Sequence, residues 1–142
     1  MSSLLTRPLR DDDFEAVHTA FTEAFSDYVV KLAPTREQLA EMLTRRGYVA
    51  DASVGIFDSG QLVAFTLNGI DGDAAYDSGT GVVPSHRRQG LARQMLDFLI
   101  PRLRERGCTR YVLEVIEANH AAAELYRSHG FVETRRLQCW SF

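Results

Sequence analysis

Residues 82–93 read Val-Val-Pro-Ser-His-Arg-Arg-Gln-Gly-Leu-Ala-Arg. A strand-like segment ends at Val83, and a segment with helical spacing begins near Gln89. The first turn of a helix has N–H groups with no intrahelical partner, and its dipole adds partial positive charge there. Gly90 lacks a Cβ, so an anion can approach the backbone closely, and Ala92 keeps the turn slim. Arg87 and Arg88 add full charges. The chemistry on offer is phosphate binding. The segment is neither G-x-x-x-x-G-K-[ST] nor a G-x-G-x-x-G following the first strand. Taken alone, it also fits a solvated turn.

A second constellation lies in "LEVIEANHAAAELYRSHGF", residues 113–131. A strand carries Glu114, a loop Asn119 and a helix Tyr126. Between the two regions, "AAYDSGTGVVP" reads as a strand whose Gly79 and Gly81 suggest a bulge or a close backbone approach.

The elements that must position these groups follow from periodicity. "LLTRPLR" is a short strand. In "DDDFEAVHTAFTEAF", Phe14, Val17, Phe21 and Phe25 form one helical stripe, with three aspartates as caps at its start. "SDYVVKLAP" is a loop or short helix. "TREQLAEMLTRRG" is a helix with a Thr35/Gln38 capping box and a Gly47 stop. "ASVGIFDSGQLVAFTLNGID" is a hairpin turning at Ser59-Gly60. The helix after Gly90 buries Leu91, Met95, Phe98, Leu99 and Leu103, with a kink expected at Pro101 and an end at Gly107. "YVLEVI" is a buried strand, "NHAAAELYRSHG" a short helix, and "FVETRRLQCWSF" one last strand or a tight pair. The order β-α-α-β-β-β-α-β-α-β predicts an α+β (mixed α/β) fold: a central mixed sheet flanked by helices, in one domain over residues 1–142.

Bulk numbers narrow the function. Of 142 residues, 45% are hydrophobic and 25% charged, a globular balance. A net charge of −3 disfavours a nucleic-acid binder. No apolar run approaches the roughly 20 residues that span a bilayer, and no signal segment is apparent, so no membrane partner and a cytoplasmic location are expected. Cys108 and Cys139 are expected as reduced thiols, and the four histidines lack metal-ligand spacing.

The two constellations together resemble the GNAT superfamily of N-acetyltransferases. "V-V-P-S-H-R-R-Q-G-L-A" matches that family's V-x-P-x-x-[RQ]-x-x-G-x-[GA] segment, which cradles the coenzyme A pyrophosphate. "L-E-V…N-x-x-A-x-x-L-Y-x-x-x-G-F" matches its following strand and helix. Element order matches over nearly the whole chain, and the N-terminal third matches in pattern only.

The resemblance implies transfer of an acetyl group from acetyl-CoA to an amine by direct attack on the thioester, with no metal. The acceptor is a small-molecule or peptide amine. The alternative is a non-catalytic coenzyme A sensor or interaction domain on the same fold; a generic nucleotide module is a third reading. The resemblance assigns the acyl and pantetheine part to Val82 and Val83, with a backbone N–H near Val82 as oxyanion donor. It assigns the pyrophosphate to Arg88, Gln89, Gly90, Leu91 and Ala92, with added charge from Arg87 and Arg93. Asn119 holds the pantetheine arm or caps its helix. A bulge near Gly79 and Gly81 splays its strand from "YVLEVI" and leaves a slot. Tyr126 matches the residue that protonates the leaving thiolate, against the reading of a core tyrosine. Glu114 is a general base acting through water, or a buried structural carboxylate. The family's other base position falls near Tyr76, a poor base, which leaves Asp77 as the rival. The acceptor pocket is expected from Asp27, Tyr28 and Lys31, with Asp71, Asp73 and Asp77 making an acidic second wall. The family ends in two strands; here the last strand is short, absent or supplied by a partner chain, or the chain is part of a longer tandem protein. An open edge with Trp140 and Phe142 favours a homodimer.

Overall fold

The computed structural model describes residues 4–26, 33–114, 120–129, 132–133 and 139–141. β1 (Leu4–Pro8) lies antiparallel to β2 (Val54–Asp58), which turns at Ser59-Gly60 into β3 (Gln61–Asp71). Both turn residues have positive φ, 51° and 91°, the backbone twist a two-residue hairpin loop requires. β3 returns antiparallel as β4 (Ala74–Val82). Helix α3 (Leu91–Glu105) then crosses to β5 (Arg110–Glu114), parallel to β4. After α4 (His120–Ser128), β6 (Val132–Glu133) and β7 (Cys139–Ser141) form an antiparallel pair with β7 against β5. Among the described residues the sheet order is β1-β2-β3-β4-β5-β7-β6. This is the expected mixed α+β architecture, with the C-terminal segment as the tight pair. The strand beside β5 belongs to this chain, so it is neither absent nor supplied by a partner.

β3 is the middle of the molecule, buried without interruption from residue 62 to 69. Successive residues of a strand face opposite sides, and β3 uses both. Phe65 stacks on Phe21 of α1 (Phe14–Ala24), ring centres 5.9 Å apart. Its neighbour Thr66 turns the other way and sets its hydroxyl 3.8 Å from the Met95 sulfur of α3. Helices therefore cover both faces. The stripe on α1 packs as its spacing predicts: Val17 and Phe21 are buried, as is Phe25 just past its end.

α2 (Arg36–Arg45) opens on the expected capping box. Gln38 N–H donates to Thr35 Oγ1 at 3.1 Å, and Thr35 N–H donates to Gln38 Oε1 at 2.8 Å. The three aspartates sit one turn ahead of α1, and Asp13 caps there rather than on α1 itself. They form a 3-10 turn, and Asp13 makes no side-chain bond to α1. Its carboxylate accepts instead from Arg10 N–H and from two Arg7 guanidinium nitrogens, at 2.8, 2.8 and 3.0 Å. The carboxylate thus completes the capping box of the 3-10 turn and also holds a two-point charge-assisted pair with Arg7. α3 continues through Pro101 to Glu105, and Pro101 occupies an exposed position.

One buried polar network ties the sheet together. Asn68 on β3 is fully buried; its side-chain amide donates to Ala52 C=O and its backbone N–H to Ser53 Oγ, each at 2.8 Å. Its carbonyl accepts from the Tyr111 hydroxyl at 2.7 Å. Tyr111 belongs to β5, with β4 between, so its ring must pass over β4. The register places Ala75, a fully buried small residue, beside it. Tyr111→Phe orphans a buried acceptor. We expect a loss of roughly 1–3 kcal/mol in urea unfolding, larger than for removal of an exposed hydroxyl such as Ser59→Ala.

Candidate functional site

β4 and β5 pair over only three residues, Ala74–Tyr76 against Arg110–Val112. Beyond Tyr76 the strands part, and among the described residues Asp77 to Val82 pair with β3 alone. A bulge accompanies the parting: Leu67 pairs Gly79 while Asn68 pairs Asp77, so Ser78 is the extra residue. A bulge bends its strand and increases its twist.

Asp77 holds this bulge. One carboxylate oxygen accepts from Gly79 N–H at 2.8 Å and the other from the Thr80 hydroxyl at 2.6 Å. Thr80 Oγ1 in turn lies 3.1 Å from Thr66 Oγ1 on β3. The two glycines have separate causes. Gly79 belongs to the bulge. At Gly81 a Cβ would fall 2.7 Å from the Phe65 ring and 2.9 Å from Ala24 Cβ, so only glycine lets α1 sit this close. Val83 N–H donates to Val63 C=O of β3 at 2.9 Å. Alternation along the chain therefore turns Val82 N–H the opposite way, towards the gap.

The loop that follows is pinned at two points. His86 Nε2 lies 2.7 Å from Asp58 Oδ2, at the β2–β3 turn. Arg87 donates to Val82 C=O at 3.2 Å and to Ala24 C=O at 2.6 Å, bridging the end of β4 to the end of α1. Its guanidinium thus has structural work that its sequence position did not reveal. Arg88 (φ 63°) and Gly90 (φ 75°) both adopt left-handed backbone, and Arg88, Gln89 and Gly90 are exposed. Gly90 is the N-cap of α3 and no side chain caps that helix. The first intrahelical bond is Gln94 N–H to Gly90 C=O at 3.0 Å, so the N–H groups of Leu91, Ala92 and Arg93 precede it. Leu91 is buried and anchors the turn, Ala92 is half-buried, and Arg93 is exposed. A Cβ built on Gly90 meets nothing within 4 Å. The space over this helix start is open, and fifteen residues of α3 contribute to its dipole.

Tyr126 is buried in α4. Burial pushes the Tyr111 hydroxyl well above its ordinary pKa, and the charges of Asp77 and Tyr126 add to that rise. Asp77, on β4 just past the paired stretch, and Tyr126, on α4, thus both bear on Tyr111. Asp71 and Asp73 do not join them. Asp73, at the β3–β4 turn, accepts from the Thr109 hydroxyl at 2.9 Å. Glu114 ends β5, its backbone opposite Cys139, and its side chain is outside the described residues. Asp27, Tyr28, Lys31 and Asn119 also lie outside them. Thr80, Tyr111 and Asn68 were missed in the sequence. Only the Asp-x-x-Thr spacing around a glycine signals any of them. Among the described residues no cluster of three or more His, Cys, Asp or Glu could hold a metal ion, and no helix is long and apolar enough to cross a membrane.

Burial raises the Asp77 carboxyl to about 6 from 3.8, against the lowering effect of the Thr80 and Gly79 bonds. A carboxyl that holds its proton more tightly when folded stabilises the fold at low pH. That contribution fades as pH rises through the folded value. Asp77→Asn keeps an acceptor for Gly79 N–H and removes the charge. Urea unfolding should show the variant gaining on the wild type between about pH 4 and pH 7; equal slopes against pH contradict this.

A family model described as the acetyltransferase (GNAT) family matches residues 14–131. The ribosomal protein bS18-alanine N-acetyltransferase of Escherichia coli strain K12 is 40% identical over 75 residues, 53% of this chain and 51% of that protein. The match thus spans about half the length of this curated relative. An aminoglycoside N(6')-acetyltransferase type 1 of Klebsiella aerogenes is 25% identical over 98% of this chain and 96% of its own length. The crystal structure of the Escherichia coli ribosomal-protein-S18-alanine N-acetyltransferase superimposes with a TM-score of 0.76 at 26% identity, covering 98% of this chain and 90% of that one.

Proposed function

Because the chain belongs to the GNAT family of acetyltransferases, we propose that it is an acetyl-CoA-dependent N-acetyltransferase whose single domain spans residues 1–142. The observation that carries this reading is an uncapped, open helix start placed directly after a strand that has lost its neighbour. One feature suits a pyrophosphate and the other an extended arm lying between strands. Such a pair fits coenzyme A better than a free nucleotide, which has no long arm to place.

Acetyl-CoA supplies a thioester carbonyl open to attack by a neutral amine. The chain's residues do the rest. N–H groups of Leu91, Ala92 and Arg93 bind the pyrophosphate, with Arg88 and Gln89 beside them. Arg87 holds that loop to β4 and α1. Val82 N–H orients the carbonyl oxygen and stabilises charge there, while Asn119 seats the arm; Val83 does not join it, because its N–H is bonded to Val63 C=O, its C=O accepts from His86 N–H and its side chain is buried. Tyr126 gives a proton to the departing sulfur; a phenol with pKa near 10 suits a thiolate in a site closed to water. Glu114 takes the amine proton through water. Asp27 and Tyr28 contact the acceptor. Asp77 shapes β4, and its two bonded oxygens leave it poorly placed to contact the acceptor directly.

The acceptor we favour is a peptide α-amine. Its free pKa of roughly 7.7–8.0 leaves a useful neutral fraction near neutral pH, whereas a lysine at about 10.4 needs a stronger base. The bS18-alanine relative points the same way. A cytoplasmic setting fits the free thiol of Cys108. Trp140 pairs with Leu113 on one side and Glu133 on the other, so the open edge expected there is closed, and a homodimer is proposed instead through the outer edge of β6.

Thermal shift should show stabilisation by acetyl-CoA and none by ATP. Thiol release over an amine panel should then respond to an alanine-initiated peptide. Tight acetyl-CoA binding with no release from any amine would assign the chain to a coenzyme A sensor. Gly90→Val forces a β-branched residue into left-handed backbone at the mouth of the site. It should raise the acetyl-CoA KM by about tenfold or more, and more than Arg87→Ala does at equal folded fraction. The reverse order would mean that Arg87's hold on the loop matters more than the open helix start.

A further inference from the structure

Val83 N–H returns to β3, donating to Val63 C=O at 2.9 Å. Antiparallel partners alternate between pairs that exchange backbone bonds and pairs that do not. Counting back along the same register, Gly81 faces β3, whereas Val82 and Thr80 turn their N–H and C=O groups to the other side, where β5 has parted. Thr80 therefore stands opposite Thr66 in the kind of pair that brings side chains closest together. Their hydroxyl oxygens lie 3.1 Å apart. Thr80 Oγ1 also lies 2.6 Å from Asp77 Oδ2, and Asp77 Oδ1 accepts from Gly79 N–H at 2.8 Å. The result is a clasp on β4 from residue 77 to residue 80. It encloses Ser78, the extra residue of the bulge, and is tied across to β3. The clasp closes in either form of Asp77. Ionised, the carboxylate accepts from Thr80, and Thr66 donates to Thr80. Protonated, it donates to Thr80, Thr80 donates to Thr66, and Thr66 turns to the Met95 sulfur 3.8 Å away. A hydroxyl at residue 80 is needed in both cases, because it must accept and donate at once.

We propose that Thr80 is a positioning residue whose hydroxyl, joined to Asp77 and to Thr66, holds the bulged part of β4 so that the backbone N–H groups of Thr80 and Val82 face the gap at a fixed spacing. The proposal rests on the reading that an N–H of β4 orients the thioester carbonyl. The brace acts at the Cα of Thr80 itself, so the backbone of that residue moves with it. Beyond Val82, the Val83 bond to β3 fixes the strand. Without the hydroxyl, one Asp77 oxygen loses its donor, and the bulge keeps only the bond from Gly79. The pyrophosphate is held elsewhere, at the start of α3, so the loss falls on turnover and not on cofactor binding.

Steady-state kinetics with an alanine-initiated peptide as acceptor, on the wild type, Thr80→Val and Thr80→Ser, tests the brace. Valine keeps the shape and removes the hydroxyl; serine keeps the hydroxyl. Thr80→Val should lower kcat by about three- to tenfold and leave the acetyl-CoA KM within about twofold, and Thr80→Ser should recover kcat to within about twofold of the wild type. Wild-type kcat in Thr80→Val overturns the proposal, as does an equal loss in Thr80→Ser or a loss confined to the acetyl-CoA KM. Thr66→Val cuts the tie to β3 and leaves the Asp77 bond, so it keeps the test open if Thr80→Val folds poorly. Its kcat should fall by about two- to fivefold at unchanged acetyl-CoA KM, and wild-type kcat there overturns the proposal. If the wild type releases thiol with no amine, the reading of the carbonyl donor fails instead, and the brace is judged by amide hydrogen exchange. Exchange at Gly79, whose N–H Asp77 holds, should be about tenfold faster in Thr80→Val and return to near the wild-type rate in Thr80→Ser; an unchanged rate in Thr80→Val overturns the brace.

Discussion

A strand that loses its neighbour in the middle of a sheet leaves backbone donors and acceptors without partners, and a folded protein has to account for them. In this chain β4 meets that condition after Tyr76. The surrounding structure is arranged around it. Ser78 is squeezed out as a bulge, Asp77 bonds the loosened backbone on its own strand, and Thr80 relays the hold to β3. On the far side, Tyr111 reaches over β4 to Asn68. Beyond the three residues where β4 and β5 pair, β4 is fastened to β3 and β5 to β7, and the two diverge.

The anion-facing loop is held by the same economy of contacts. His86 and Arg87 turn inward, to Asp58 and to the carbonyls of Val82 and Ala24. Arg88 stays outside, in a backbone conformation unusual for a side chain of its size. Strain of this kind persists where the neighbouring structure over-determines it, and it clusters at binding sites. Adjacent arginines thus do opposite things: one builds the loop and the other is presented by it.

Local features were legible in the sequence. The capping box at Thr35 and Gln38, the Ser59-Gly60 turn, the stripe on α1 and the glycine at the start of α3 all follow from rules that act over a few residues. The pairings that shape the site were not. Tyr111 looks like any aromatic residue in an apolar strand, and its partner lies 43 positions away. Asp77 drew attention for its charge, whereas its geometry is that of a brace. Asp13 caps one turn ahead of α1, and its pairing with Arg7 is not in the spacing that predicts a cap. In each case a long-range or competing partner decided the outcome, and no periodicity encodes that.

The distance in sequence between Asn68 and Tyr111 also bears on the order of assembly. β2, β3 and β4 follow one another through tight turns, so their contacts close short loops and can form early. β5 and α4 join only after the α3 crossover, and non-local pairings form slowly because loop closure comes first. During synthesis the chain therefore has most of its sheet before it has the second wall of its cleft. The same order in reverse means that mild destabilisation should strip away the cleft first and leave the hairpins standing. Binding competence then becomes the most sensitive gauge of this protein's integrity, ahead of its secondary structure.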